Sequence, residues 1–212
     1  MNPTQRKFFR ILILFAHPAL HKSQVNRHLI AAAETVEGVT VRDLYEIYPD
    51  YLIDVKAEQE LLVAHDIIIL HHPFYWYSAP SLVKEWLDLV LEHGWAYGDG
   101  ANALQGKYLM QTVTCGGSAE IYCSSGRNLH SVREFLLPFE QSARLCGLTY
   151  LAPFVVHGTG NLKEAAAVLP HAHSYVAVLA ALRDGRIDLA RAATLSCLNA
   201  NLDTLIETPL LP

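Results

Sequence analysis

FRILILFAHPALHKSQVN, Phe9–Asn26, contains the architecture of the chain in miniature. Phe9–Ala16 is an apolar run and reads as a strand buried on both faces. After a short turn, Ser23 has the side chain of a helix N-cap. A helix is predicted from Ser23 to Val36, because Val25, Leu29, Ala32, Ala33 and Val36 recur near helical spacing and Gly38 follows as a stop. A buried strand that runs straight into a helix is the first half of a βαβ unit.

The same alternation continues outward. Strands are predicted at Val39–Leu44, Asp66–Leu70, Lys107–Val113 and Leu148–Val156. Between them lie helices at Asp54–Ala64, with Asp54 as N-cap, at Ser81–Leu91 behind Pro80, and at Val132–Cys146, stopped by Gly147. Pro138 implies a kink or a late start in the last of these. Leu162–Arg183 reads as a final helix with a bend at Pro170. Strands spaced by helices of this length imply a parallel sheet. Five of them in one domain fit an α/β doubly wound sheet of order 2-1-3-4-5, with helices on both faces. Residues 1–183 form that domain, and 184–212 form a C-terminal extension, helical and packed on it.

Composition narrows the function. Of 212 residues 17% are charged and the net charge is −5, with Lys and Arg scattered, so nucleic acid is an unsupported partner. No apolar run approaches the roughly 20 residues that cross a bilayer. The basic opening followed by ILILFA is too short for a signal peptide and reads as the first strand. The four cysteines form no CxxC pair, which suggests reduced thiols. The histidine pairs His71–His72 and His171–His173 lack a third ligand at supporting spacing, so no metal site is expected.

In a doubly wound sheet ligands sit at the carboxyl ends of the strands, beside the switch point between strands 1 and 3. The loop after strand 1 offers His17, Ser23, Gln24, Val25 and Asn26 at a helix N-terminus, a setting that favours an anion. It contains neither GxGxxG nor GxxxxGK[ST], which argues against a Rossmann fingerprint and a P-loop. The loop after strand 3 is Pro73-Phe74-Tyr75-Trp76-Tyr77-Ser78-Ala79-Pro80. Its four consecutive aromatics cannot all face the core, and a flat aromatic cofactor would bury the exposed ones. The loop after strand 4 holds Thr114, Cys115, Gly116 and Gly117, and paired glycines allow close backbone approach to a ring. Each loop also has a plainer reading: a helix cap, a core cluster or dimer contact, an ordinary turn.

Specific segments carry a family resemblance. They are FAHP (Phe15–Pro18), Ser23–Asn26, DLYEIYPDYLIDVKAEQELL (Asp43–Leu62), HHPFYWYSAPSLVKEWLD (His71–Asp88), HGWAYGDGANALQGK (His93–Lys107) and TCGG (Thr114–Gly117). The chain resembles the flavodoxin-like NAD(P)H:quinone oxidoreductases, most closely the bacterial ancillary subunits of glutathione-gated potassium efflux systems. The resemblance implies a flavin, FMN with FAD as the alternative, and NAD(P)H as co-substrate. It implies hydride transfer through the flavin to a quinone or similar electrophile. It places the flavin phosphate at His17 and Ser23–Asn26, the ring along Phe74–Tyr77, and the glycine-rich loop at Thr114–Gly117. Cys115 stands where the family often has Thr, which removes a hydroxyl contact. Tyr122 falls where some quinone reductases place a tyrosine that assists hydride transfer, although SAEIYCSSGRNLH (Ser118–His130) departs from the efflux-subunit pattern. A homodimer closing over the site through Trp86, Trp95 and Tyr97 is expected, with Trp86 equally readable as core. A second reading makes the chain a regulatory subunit of a potassium efflux transporter, cytoplasmic or peripheral at the inner face of the membrane. An electron-transfer flavodoxin is a weaker third, since a charge of −5 is mild for that class.

Overall fold

A computed structural model describes residues 8–206. β1 (Ile11–Phe15) is buried at every position. It pairs in parallel with β2 (Val39–Asp43) on one side and β3 (Ile67–Pro73) on the other. β4 (Tyr108–Thr114) adds to β3, and β5 (Thr149–Tyr150) with β6 (Phe154–Val156) adds to β4. The order is 2-1-3-4-5, as the sequence predicts. Alternate residues of one strand feed two separate cores. Ile11, Ile13 and Phe15 join α1 (Gln24–Ala33) and α7 (Ala165–Arg183) on one face. Leu12 and Leu14 join α3 (Val55–Ala64), α4 (Ser81–Val90) and α6 (Leu137–Leu145) on the other.

Local chemistry sets the helix ends. The Asn26 N–H donates to Ser23 Oγ and the Ala57 N–H to Asp54 Oδ1, so both predicted caps hold. Asp43 caps α2 (Leu44–Ile47), a short helix that the sequence pattern does not predict, its first residue Leu44 reading as the end of strand 2. α1 ends at Ala33, short of Val36, and Gly38 leaves it at a left-handed φ of 79°. The helix predicted over Val132–Cys146 is two pieces, α5 (Val132–Phe135) and α6, divided at Leu136. Pro138 sits in the first turn of α6, where its missing N–H costs nothing, so the late start is what occurs. α7 begins at Ala165 and runs through Pro170.

The fifth strand is split. Leu109 lies opposite Tyr150 but Thr112 lies opposite Phe154, so β4 advances three residues while its neighbour advances four. The extra residue is a bulge across Leu151–Pro153, where Pro153 has no N–H to give the ladder. Beyond α7 come α8 (Leu189–Thr194) and α9 (Leu202–Leu205). Ile187, Ala192, Leu198 and Leu205 enter the core shared by α1 and α7. The Ala152 N–H donates to Ala192 O, the Leu198 N–H donates to Pro153 O, and the Asn199 side chain bonds both N–H and C=O of Val155. Arg133 donates to Ala193 O at 2.8 Å and also to Leu195 O. The rest of the expected extension, 207–212, lies outside the described residues.

By length and composition alone α7 could cross a bilayer. It lies instead along α1, with Val168, Tyr175, Val178 and Leu182 in the core. Trp86 is core as well, its Nε1–H donating to the buried Glu58 at 2.9 Å, and Trp95 packs against the same cluster. Trp86 thus takes the core reading that was open to it, while Trp95 and Tyr97 are partly buried beside the same cluster.

Candidate functional site: a cleft at the carboxyl ends of the strands

The loops after β1, β3, β4 and β6 meet around a cleft of about 400 Å³. Ten of the residues singled out from sequence line it: His17, Ser23, Gln24, Val25, Asn26, Pro73, Phe74, Tyr75, Thr114 and Gly116. The others stand elsewhere. Trp76 is 91% exposed and Tyr77 is half exposed. Cys115 is buried beneath the loop, where burial pushes its thiol up to about 12 and leaves it inert. Gly117 faces its own loop, and Tyr122 sits behind Phe74 with the two ring centroids 5.8 Å apart.

One end of the cleft is built from hydrogen-bond donors. The Ala19 N–H donates to His17 Nδ1 at 3.1 Å, so the proton of the neutral ring is on Nε2. Burial lowers the His17 pKa, which keeps the ring in that neutral form. Ser23 begins α1, whose first N–H groups lack intrahelical partners. Asn26 Nδ2 donates to Ser23 Oγ at 2.9 Å and to Thr114 Oγ1 at 3.0 Å, and so ties the first loop to the end of β4. Lys22 and Lys163 add positive charge at the rim. This end suits an anion.

The other end is aromatic. The Phe74 N–H bonds Thr114 O at 2.9 Å, fixing the start of the loop. Tyr75 and Ser78 exchange backbone bonds at 3.2 and 3.0 Å around Trp76 and Tyr77, whose φ values are 51° and 61°. Two large residues in the left-handed region cost of order 1–3 kcal/mol each, and such strain clusters at functional places. Behind this turn the rings of Phe74, Tyr77, Tyr122 and Phe135 pack together, Tyr77 lying 4.9 Å from Phe135. Burial raises the Tyr122 pKa, so its hydroxyl remains a donor at neutral pH. The two glycines of the third loop differ. A Cβ on Gly116 would meet nothing within 4 Å, whereas one on Gly117 would lie 2.3 Å from Ile121 Cδ1. Close approach to a ligand ring is thus available at Gly116, and Gly117 serves the folding of the loop.

A family model for the flavodoxin-like fold matches residues 10–179. The chain belongs to the flavodoxin-like fold family. Among its flavodoxin-like relatives is the glutathione-regulated potassium-efflux system ancillary protein KefG of Pectobacterium atrosepticum. It is 44% identical over 154 residues, covering 73% of this chain and 84% of that protein. The structure of general stress protein 14 from Treponema denticola, in complex with FMN, superposes with a TM-score of 0.77 at 39% identity, covering 82% of this chain and 99% of that one. An NADPH-quinone reductase from P. pentosaceus superposes with a TM-score of 0.72 at 32% identity, covering 80% and 96%.

Sequence reasoning missed one wall of this flavodoxin-like cleft. Thr159, Gly160, Leu162 and Lys163 line it from the loop after β6. The switch-point rule points to the loops after strands 1, 3 and 4 and passes over the loop after the fifth strand. His157-Gly158-Thr159-Gly160 at the end of the fifth strand was the available signal, with Gly158 at a left-handed φ of 68°. Among the described residues no group of three or more His, Cys, Asp or Glu could hold a metal ion.

Proposed function

We propose that the cleft binds FMN and that the protein is an NAD(P)H:quinone oxidoreductase. The observation that carries this is the pairing, in one cleft, of an anion-suited end at His17 and Ser23 with an aromatic, glycine-bordered end at Phe74, Tyr75 and Gly116. The fit is supported by the donor chemistry at one end and by the open space beside Gly116, which admits a flat ring. A phosphate suits the donors better than a further nucleotide does, so FMN is preferred to FAD. The FMN complex of the Treponema relative supports the same choice.

Bound flavin would supply a ring that takes two electrons from NAD(P)H and gives them to a quinone; the net reaction consumes NAD(P)H, quinone and a proton and yields NAD(P)⁺ and the hydroquinone. The chain's own residues bind and orient. His17, Ser23 and the first turn of α1 hold the phosphate. Phe74 and Tyr75 exclude water along the ring edge. Tyr122, where the resemblance expects a tyrosine that assists hydride transfer, stands behind Phe74 outside the cleft lining, and its proposed part is to hold Phe74 against the ring edge. One site serving both substrates in turn predicts ping-pong kinetics.

Titration of the purified protein with FMN, followed by flavin absorbance and fluorescence quenching, tests the binding. No quenching with either FMN or FAD defeats the proposal. Tyr122→Phe, which keeps the ring that backs Phe74, is expected to leave FMN affinity and quinone turnover within about twofold, whereas Tyr122→Ala should lower turnover. Unchanged turnover in Tyr122→Ala removes Tyr122 from the mechanism, and a large loss in Tyr122→Phe would instead assign a role to its hydroxyl.

The likeness to KefG supports a second, compatible reading: the protein binds the cytoplasmic part of a potassium efflux transporter, and so works in the cytoplasm at the inner membrane face. Co-purification with such a transporter, compared in FMN-loaded and flavin-free protein, tests it.

A further inference from the structure

Behind the donor end of the cleft runs a chain of buried polar groups that contains no cleft residue until its last members. Thr112 on β4 donates its hydroxyl to Tyr175 on α7 at 3.2 Å. The Tyr175 hydroxyl lies 3.4 Å from His71 Nδ1, on β3. His71 Nε2 lies 3.1 Å from Asn26 Oδ1, and the Asn26 amide reaches Ser23 and Thr114. Thr112, His71 and Tyr175 are fully buried, and Asn26 nearly so.

Hydrogen-bond bookkeeping assigns the protons. Tyr175 accepts from Thr112, so its own O–H must find an acceptor, and His71 Nδ1 is the one within reach. Desolvation holds the His71 pKa well below the ordinary histidine range, so the ring is neutral and has one N–H to place. With Nδ1 accepting, that N–H is at Nε2 and donates to Asn26 Oδ1. The Asn26 carboxamide is then oriented with its NH₂ toward the hydroxyl oxygens of Ser23 and Thr114. The opposite polarity would leave the Tyr175 O–H buried without a partner. Ser23 Oγ already accepts twice from Asn26, from its backbone N–H and from Nδ2, so its proton is free to point into the cleft. Thr114 keeps a longer inward contact with Asn26 Oδ1 at 3.4 Å, which makes Ser23 the firmer outward donor.

We propose that His71 and Tyr175 are positioning residues: through Asn26 they fix the cleft's hydroxyls as donors and so select an acceptor-only ligand group, an ionised phosphate monoester, over a neutral hydroxyl. For the flavin this rests on the reading given under Proposed function. The consequence is discrimination between FMN and riboflavin, which share a ring and differ at the phosphate.

The experiment measures dissociation constants of FMN and riboflavin for the wild-type protein and for His71→Leu, His71→Gln and Tyr175→Phe, with a thermal melt of each. Wild type is expected to prefer FMN strongly. His71→Leu frees Asn26 to turn, and the preference should fall about tenfold, near the worth of one hydrogen bond to a charged group, while riboflavin affinity stays within about twofold. His71→Gln, which can place an N–H near the Nε2 position, should restore most of it. Tyr175→Phe should shift the ratio in the same direction by less, and it decides the matter if His71→Leu does not fold. An unchanged ratio in the folded variants overturns the proposal, as does equal weakening of both flavins. Wild-type protein that binds neither flavin would instead defeat the flavin reading. Inorganic phosphate is then the probe: its stabilisation of the melt should be present in wild type and lost in His71→Leu, and its absence in wild type overturns this proposal too.

Discussion

Gly116 and Gly117 are adjacent, yet a side chain on each would meet different surroundings. Gly116→Val would put a branched side chain into the open space of the cleft, and FMN affinity should fall at least tenfold with little change in melting temperature. Gly117→Val would press on Ile121 and Tyr122, and should instead cost about 1–3 kcal/mol of stability, as overpacked sites do. Flavin titrations and denaturant melts of both variants check this, and a reversed pattern would contradict the geometry. The sequence makes the glycine pair visible as a place of close approach. It does not show which member faces the cleft, because that depends on loop dihedrals fixed only when Cys115 is buried and bonded to Val156 O. The aromatic run is similar. Four rings in a row imply that some are exposed, but the tight turn at Trp76–Tyr77, which sends Phe74 and Tyr75 to the cleft and Trp76 to the outside, needs two left-handed residues of kinds that rarely adopt that conformation.

Strand β3 illustrates how much of an element its apolar residues conceal. Ile67–Leu70 announces a buried strand, but the strand continues through His71, His72 and Pro73, all buried. His72 is bonded to Pro73 O and to Gln111, whose Oε1 accepts from Tyr150. Desolvation lowers the pKa of both histidines, that of His72 to about 4. Because their folded values lie below the ordinary 6.5, the unfolded chain binds protons in this window and the folded chain does not. The stability they contribute is therefore complete above pH 6.5 and is lost as pH falls toward 4. Each unmatched proton steepens the loss by about 1.4 kcal/mol per pH unit. Urea melts between pH 7 and 4 should show a falling midpoint, with a shallower fall in His72→Gln; a flat profile would contradict the assignment. Strand ends of this kind escape a reading by hydrophobicity because polar residues there are satisfied by partners far along the chain. The bulge in the fifth strand escapes it for another reason: TYLAPFVV, Thr149–Val156, is apolar on both faces, so no alternation marks the residue that falls out of step.

At the scale of the molecule, the order of strands, the two-faced core and the side of the sheet that carries the cleft were all legible, because strand and helix periods and the switch-point rule depend on pattern rather than on detail. Trp86 was legible only as core or interface, and its burial against Glu58 makes it core. At this turn Trp76, with Tyr75 and Tyr77 beside it, forms an exposed aromatic patch. We propose that the expected homodimer, closing over the cleft, also covers this turn, and Trp76→Ala should weaken it. Light scattering across a dilution series, with quinone turnover in parallel, checks this, and a wild-type monomer with full activity would refute it. The bonds between the C-terminal segment and the fifth strand have a consequence of a different kind. An outermost strand presents free N–H and C=O groups to any other chain, a standing invitation to edge-to-edge association. Here Ala192, Leu198 and Asn199 occupy those groups from within the same chain, and Pro153 interrupts the row. The extension is thus expected to guard against aggregation. Asn199→Ala uncovers both backbone groups of Val155, and concentrated solutions of that variant should form growing oligomers by light scattering while far-UV circular dichroism stays native. Equal colloidal stability of variant and wild type would show that Asn199 is not needed to protect the edge beside the Ala192 and Leu198 bonds and the bulge.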